Sequence, residues 1–254
     1  MDLVIDPKWQ RRGLGSALLD FLIAEARGVD ATSLQARPYF DHVDAIRLLD
    51  SRGFQETMRM VGLELNDVAA VDVPPLSELA ASLEVRGIRI TTLAEELAAD
   101  ASSWAKLRDA NRDARFGWPE PDPTPDGRAP QVESVEEFQA RAVRFGMVPE
   151  PCFIAATHDR FVGYSALTIT DETRTQAGSG GTAVLPEYRG LGIATALKAC
   201  CLRWARDNGV RRLVTSSGNP AMIRVNEKFG FRRTYVEVRT VKRFWAESMG
   251  ADAR

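Results

Sequence analysis

The sequence predicts an α/β fold in which a complete domain follows an incomplete copy of its own second half. The first observation is an internal repeat. Residues 3–15 and 182–194 both read as a short apolar strand, a proline turn, a basic glycine loop and the start of a helix. The second is that both helices are amphipathic at a spacing of 3.6 residues. The third is an apolar share of 44%, close to the globular norm, so the chain can form a core.

The two copies continue alike after these helices. Each helix ends near a glycine, Gly28 or Gly209, which suits a left-handed C-terminal cap. The next elements are predicted in pairs: strands at 33–37 and 213–216, short helices at 42–51 and 220–228, and closing strands at 56–65 and 234–241. A Gly-Phe pair follows each short helix. The pairing predicts two units of the same build.

Only the second copy has enough preceding chain for a full domain. We predict a strand at 88–91, helices near 93–112 and 135–145, and a hairpin of strands at 153–156 and 161–169. The stretch 118–130 carries five prolines and is expected to be a loop or a disordered excursion. The predicted organisation is a partial half-domain at residues 1–68, a linker at 69–85 and a complete domain at 86–254.

Charge and cysteine content narrow the functional classes. The formal net charge of −2 gives no global field to recruit nucleic acid or an anionic membrane. No stretch is long and apolar enough to span a bilayer. The three cysteines form no disulfide framework, and two histidines without a Cys-x-x-Cys make a metal site improbable. We expect a cytoplasmic protein with no metal, no nucleic-acid partner and no membrane contact.

The loop that starts at Arg189 connects a predicted strand to the predicted helix that follows it. Glycine at 190 and 192 lets a ligand approach the backbone, and the first N–H groups of a helix attract an anion such as a pyrophosphate. The alternative is a glycine turn that merely starts a helix. A Rossmann fingerprint needs another register and a later acidic residue, and a P-loop needs Gly-Lys-Ser/Thr, so neither motif fits.

Residues 184–198 and 215–231 resemble the GNAT acetyltransferase superfamily. The first stretch matches its Arg/Gln-x-x-Gly-x-Gly/Ala signature. The second matches Asn-x-x-Ala-x-x-x-Tyr-x-x-x-Gly-Phe, except that Met222 stands for Ala and Asn226 for Tyr. This version looks like a branch of tandem GNAT proteins. The resemblance implies a mixed, mostly antiparallel central sheet with helices on both faces, in tandem with a truncated first copy.

The resemblance also implies an acetyl-CoA-dependent N-acetyltransferase whose co-substrate lies between two diverging strands. Pantetheine would bind the backbone of Ala183, Val184 and Leu185. The diphosphate would lie on the loop residues Arg189, Gly190, Leu191, Gly192, Ile193, Ala194 and Thr195. Asn219 is either the N-cap of the next helix or a pantetheine contact.

In the implied reaction a neutral primary amine, on a small molecule or a peptide, attacks the thioester directly. Glu187, Asp171 and Glu172 are either bases for that amine or solvated turn residues. Asn226 cannot donate a proton, but it can hydrogen-bond the sulfur or the pantetheine. The remaining candidate acids are Tyr164, Tyr188 and Tyr235.

The first copy keeps the loop as Gln10-Arg-Arg-Gly13-Leu-Gly15 but has His42 and Leu49 at the Asn and Tyr positions, so we expect a structural role for it. Residues 3–5 are predicted to be a strand without its partners. Such an edge would pack against the complete domain or a second copy of the chain, unless the opening strands of a longer protein were removed. A homodimer is therefore one expectation. The alternative function is a non-catalytic acyl-CoA-binding or scaffold protein.

Overall fold

The computed structural model describes residues 3–114, 133–169 and 173–244. These residues divide into two compact units, one of residues 3–61 and 235–244 and the other of residues 62–114, 133–169 and 173–234. The domain boundaries expected at residues 68 and 85 stay predictions. No helix in the described part of the chain is both long and apolar enough to cross a membrane.

The first unit contains few regular elements. They are a 3₁₀ turn at Pro7–Trp9, α1 (Leu14–Gly28), β1 (Ser33–Ala36), α2 (Val43–Ser51), the start of β2 (Gln55–Leu65) and most of the last strand of the chain, β8 (Arg232–Arg243). Both β2 and β8 begin in one unit and end in the other. Each unit is therefore completed by residues distant in sequence.

The second unit contains the remaining elements. They are α3 (Leu76–Glu84), β3 (Arg89–Thr92), α4 (Leu93–Ala99), α5 (Ser103–Asp113), α6 (Val135–Arg144), β4 (Met147–Ala156), β5 (Phe161–Ile169), β6 (Gln176–Val184), a 3₁₀ turn at Pro186–Tyr188, α7 (Ile193–Asp207), β7 (Arg212–Ser217) and α8 (Pro220–Lys228). Strands β3, β4, β5 and β6 pair antiparallel in that order, and β7 joins β6 in parallel. The predicted mixed, mostly antiparallel sheet is confirmed.

The sheet of the second unit buries both of its faces. Adjacent strand residues point to opposite faces, and Ile154 and Ala155 of β4, both fully buried, belong to different core clusters. Ile154 packs in a cluster with residues of α4, α5 and α6, while Ala155 packs with residues of α3 and α7. Helices on both faces, as predicted, exclude water from the sheet.

Several element boundaries differ from the prediction. The helix expected near 93–112 is two helices, because Asp100 is extended and its carboxylate accepts hydrogen bonds from the Ser102 N–H at 2.8 Å and the Lys106 ammonium at 2.9 Å. The segment expected to be a linker contains α3, whose Leu83 is 1% exposed in the core. Strand β4 also starts earlier than predicted, at Met147.

The first unit is held by a small core of its own. Its members are Leu19, Ile23, Leu49 and Phe54. Strand β1 pairs antiparallel with the end of β8, with Ser33 opposite Arg243. The prediction of a strand at residues 3–5 is wrong, since residues 3–6 have no regular secondary structure. A strand persists only where a neighbour satisfies its backbone groups, and here the Gln10 amide donates to the Ile5 carbonyl at 2.9 Å instead.

The loops before α1 and α7 have the same backbone conformation. Gly13 and Gly192, the two N-caps, have φ of 80° and 84°. Two residues earlier, Arg11 and Gly190 have φ of 61° and 79°. Arg11 thus adopts a left-handed conformation that favours glycine. The repeat that is visible in the amino-acid sequence is therefore also present in the backbone structure.

The helices that follow these loops differ in burial. On α7 the side chains of Ile193, Leu197 and Cys200 are at most 4% exposed. The matching positions on α1 are Leu14, Leu18 and Phe21, which are 46%, 39% and 57% exposed. Strands β4 and β5 pack against α7, and the first unit has no counterparts of them among its described residues.

Two left-handed glycines that follow helices make a matched test of the packing. At Gly146, an added Cβ would lie 2.7 Å from the Ile169 carbonyl oxygen, whereas at Gly209 it would meet nothing within 4 Å. Gly209→Ala should cost roughly 1–2 kcal/mol of unfolding free energy, from conformation alone. Gly146→Ala should cost about 1–3 kcal/mol more, from the clash. Urea unfolding of both variants tests this, and equal losses would contradict the described packing.

Candidate functional site

The parallel strands β6 and β7 are paired at one end only. Their register joins Gln176 to Arg212, Ala177 to Leu213 and Gly178 to Val214, and no further pair is made between them, although both strands are described to their ends. We call the diverging segments, residues 179–184 of β6 and 215–217 of β7, the fork. Backbone groups that face a widening gap can bind an extended ligand as an additional strand would.

Strand β6 is irregular inside the fork. On β5, Ala166 lies opposite Gly181 and Leu167 lies opposite Ser179, so Gly180 is an extra residue. Such a β-bulge leaves one residue outside the ladder and re-aims the backbone. Gly181 has φ of 113°, and a Cβ at Gly180 would lie 2.9 Å from the Thr168 side chain. Glycines are therefore required at the bulge.

The glycine loop lies at the open end of the fork. Gly192 caps α7, and the first helical hydrogen bond runs from the Ala196 N–H to the Gly192 carbonyl at 3.0 Å. The N–H groups of Ile193, Ala194 and Thr195 therefore precede the helical ladder, at the positive end of the helix dipole. A Cβ at Gly190 or Gly192 would meet nothing within 4 Å. The loop has the geometry of an anion site with an open approach.

Arg189 braces this loop. Its guanidinium donates to the carbonyls of Val184 at 3.1 Å and Ala114 at 3.0 Å. These hydrogen bonds tie the loop to the end of β6 and to the residue that follows α5. The positive charge of Arg189 therefore lies beside the loop, while its guanidinium N–H groups donate hydrogen bonds to these backbone carbonyls.

The two asparagines of α8 are placed differently. Asn219 is the N-cap, and its side-chain oxygen accepts from the Ala221 N–H at 2.9 Å. The capping role is therefore real, and the pantetheine contact stays a prediction. Asn226 is 2% exposed, and its Nδ2 donates to the Met222 carbonyl at 3.0 Å. Its Oδ1 has no hydrogen-bond partner among the described residues, which costs about 1–3 kcal/mol.

Lys198 is a charged residue of α7 that the structure buries. It is 2% exposed, and its Nζ lies 3.5 Å from the Ser179 Oγ in the fork and 5.9 Å from the centre of the Phe231 ring. Burial lowers its pKa below that of an ordinary lysine. The available signal was the run of apolar residues on both sides of it, which makes α7 apolar almost all round.

Glu187, the base candidate of the 3₁₀ turn, is an exposed residue in an ion pair with Arg160. Its carboxylate accepts from its own N–H and from the Arg160 guanidinium, and both lower its pKa. A carboxylate held in this way is a weak base. Its catalytic role stays a prediction. Asp171 and Glu172 lie outside the described residues.

Of the three candidate tyrosines, only Tyr164 lies at the fork, where a Cβ added to Gly181 would be 3.5 Å from its hydroxyl oxygen. The Tyr164 hydroxyl donates to the Asn111 Oδ1 at 2.7 Å. The Tyr188 ring packs under Arg160, with 5.6 Å from the ring centre to the guanidinium carbon. Tyr235 belongs to the first unit, where its ring centre lies 5.4 Å from that of Tyr39. In the described residues no group of three or more His, Cys, Asp or Glu could hold a metal ion.

Solved structures with this fold are distant in sequence. A GCN5-related N-acetyltransferase from Sphaerobacter thermophilus has a TM-score of 0.67 at 18% identity, over 94% of this chain and 70% of that one. A tandem GNAT protein from the clavulanic acid biosynthesis pathway has a TM-score of 0.62 at 21% identity, over 95% and 73%. A fungal glucosamine N-acetyltransferase region has a TM-score of 0.66 at 16% identity, over 94% and 29%. No curated protein matches the chain.

A family model supplies the relationship that these identities leave open. The model of the acetyltransferase (GNAT) family matches residues 1–54 and 95–231, which together make up more than half of the chain. The matched ranges contain both glycine loops, the whole of β6 and β7, and Asn226. The chain therefore belongs to the GNAT acetyltransferase family.

Proposed function

We propose that the chain is an acetyl-CoA-dependent N-acetyltransferase whose active site is the fork of the second unit. The observation that carries this proposal is the divergence of β6 from β7 beyond Gly178 and Val214, with the glycine loop at its mouth. A long ligand with an anionic end fits this arrangement. Its diphosphate would meet the N-terminus of α7, and its extended arm would enter the gap.

The chain's own residues can hold each part of that co-substrate. Backbone groups of Ala183, Val184 and Leu185 would bind the pantetheine amides, and residues 189–195 would bind the diphosphate. Further into the fork, the bulge leaves Gly180 outside the ladder with β5, and its backbone groups would bind the ligand near the thioester. Donors fixed in advance near a thioester carbonyl stabilise the negative charge that develops on its oxygen.

In the proposed reaction a neutral amine attacks the thioester carbon and the sulfur leaves as a thiolate. An alkyl amine with a pKa near 10.4 in water must first lose a proton. The ion pair of Glu187 makes that carboxylate a weak acceptor, so we propose that water relays the proton to solvent. The acceptor would be a small-molecule or peptide amine.

A turnover assay separates this proposal from a non-catalytic acyl-CoA-binding protein. Acetyl-CoA would be offered with a panel of amines that contains polyamines, amino sugars, aminoglycosides and peptides with free N-termini or lysines. Amine-dependent release of free thiol supports the transferase. The binding protein would be favoured if acetyl-CoA binds tightly but no amine of the panel releases free thiol faster than it does without the protein.

The two loops provide a matched pair of variants. Gly192→Glu puts a carboxylate where the diphosphate is proposed to lie and should weaken acetyl-CoA binding by at least ~100-fold, or about 2.8 kcal/mol. Gly13→Glu introduces the same residue at nearly the same φ in the first copy, and binding should persist. Calorimetry on both variants is the measurement. Loss of binding in Gly13→Glu alone would move the site to the first copy.

Asn226→Leu should separate stability from activity. Removal of an unsatisfied buried amide should leave the unfolding free energy unchanged or higher. Turnover should fall, by less than the ~10²–10⁴-fold typical of a lost general acid, because an amide can only orient the ligand. Chemical denaturation and steady-state kinetics provide the two readouts. Unchanged kcat and KM would show that Asn226 does not face the ligand.

A further inference from the structure

Lys198 is a buried cationic side chain to which the proposed reaction assigns no role so far. It makes no ion pair among the described residues, and its hydrogen bond to the Ser179 Oγ is long, at 3.5 Å. An ammonium ion without a counterion in a dry site is costly. A ligand that brings an acceptor to this place would offset that cost.

The amine of Lys198 lies at the base of the fork. Gly178 makes the last pair between β6 and β7, and Ser179, the next residue, is the one that Lys198 contacts. Phe231 lies near the Lys198 amine, and its backbone N–H donates to the Asn226 carbonyl at 3.2 Å. Lys198 thus approaches the inner end of the gap from α7.

We propose that Lys198 donates the proton that the coenzyme A sulfur takes up when the carbon–sulfur bond breaks. The inference rests on the proposed function, because it requires coenzyme A in the fork. It gives Lys198 the proton-donor role that the tyrosine of the family signature could have, because this chain has Asn226 at that signature position. An amide has no proton to give a thiolate, whereas an ammonium has three.

The amine nitrogen forms a bond to the thioester carbon and gives its proton to solvent. The carbon–sulfur bond then breaks, its electron pair goes to sulfur, and one proton of the Lys198 ammonium goes with it. The products are an amide, a thiol and a neutral lysine amine, which recovers a proton from solvent while the thiol is still bound.

The surroundings of Lys198 suit that transfer. In water a lysine near pKa 10.4 holds its proton more tightly than a thiol near 8.5, so an ordinary lysine is a poor donor to a thiolate. Burial lowers the pKa of Lys198 and so reduces this disadvantage. The groups that face it are Ser179 of β6, Cys201 of α7 and the Phe231 ring, and burial raises the pKa of the Cys201 thiol. Cys201 therefore stays neutral and supplies no counterion.

The test follows the thiol of bound coenzyme A and needs no knowledge of the acceptor. The ultraviolet absorbance of the thiolate is titrated with pH for coenzyme A free, bound to the wild type and bound to Lys198→Met. An opposite charge within ~4–6 Å lowers a pKa by about 1–3 units. The bound thiol should thus titrate at least about one unit below free coenzyme A in the wild type, and not in the variant. Burial raises the pKa of Cys152, Cys200 and Cys201, so these protein thiols titrate at higher pH than the thiol of coenzyme A. A titration of the ligand-free protein measures their contribution, which is then subtracted.

Lys228→Met is the matched control, because Lys228 is an exposed lysine of α8 in the same unit. It should titrate like the wild type. If Lys198→Met does not fold, the wild-type measurement still decides, since a bound thiol with an unlowered pKa overturns the proposal. Equal titration in the wild type and Lys198→Met also overturns it and leaves coenzyme A binding intact. Absence of binding in the wild type overturns the proposed function as well.

Kinetics supply a second readout once an acceptor is found. With Lys198→Met, kcat should fall by about 10²–10⁴-fold while the Kd for acetyl-CoA changes little. The decline of wild-type kcat at high pH, where Lys198 loses its proton, should disappear in the variant. Lys198→Arg should keep the bound thiol acidic. A variant with a lowered kcat but an unchanged pH profile would indicate a packing role and contradict the proposal.

Discussion

The partial pairing of β6 with β7 is the constraint on which the rest of this structure depends. A parallel pair with only three matched positions leaves two strand ends without their usual partners. Strand β6 stays in place because β5 pairs with it along the other edge, from Gly163 to Ile169. Helix α7 packs against β4, β5 and β6 and covers one face. The gap is thus maintained by its surroundings and not by the two strands that border it.

The same constraint accounts for the polar groups buried at the fork. A well-paired sheet under a close-packed helix has no reason to retain an ammonium and an unsatisfied amide oxygen. Here Lys198 and Asn226 each lack a full set of partners among the described residues, and Lys198 lies at the inner end of the gap. A buried ammonium beside the fork, with no ion pair among the described residues, suits the ligand proposed for the gap.

The sequence predicted what depends on local rules. The bounds of α8, Pro220–Lys228, follow from the Asn cap and the proline that opens it. The cap at Gly192 follows from the strand, loop and helix order. What sequence reasoning missed depends on tertiary contacts. The burial of Lys198 is decided by strands that are distant in sequence, and the break at Asp100 depends on a carboxylate that accepts hydrogen bonds from nearby residues. The diverging strands were expected only from the family resemblance, because no sequence pattern in β6 or β7 predicts where their pairing stops.

The first copy shows which part of the site signature is informative. Its loop has the backbone conformation of the second loop, even though Arg11, with φ of 61°, takes the place of Gly190. A non-glycine residue in this conformation costs roughly 1–2 kcal/mol. The 3₁₀ turn before it and the helix cap after it must therefore impose the shape of the loop. The ion pair between Arg11 and Asp44 lies beside them. The loop can therefore form without a fork, since residues 3–6 make no strand beside β1. A glycine loop at a helix start thus indicates only how the chain begins that helix, and does not by itself indicate a binding site. The diverging strands beneath it are what distinguish a place where an acyl donor can bind, and only the second unit shows them among its described residues.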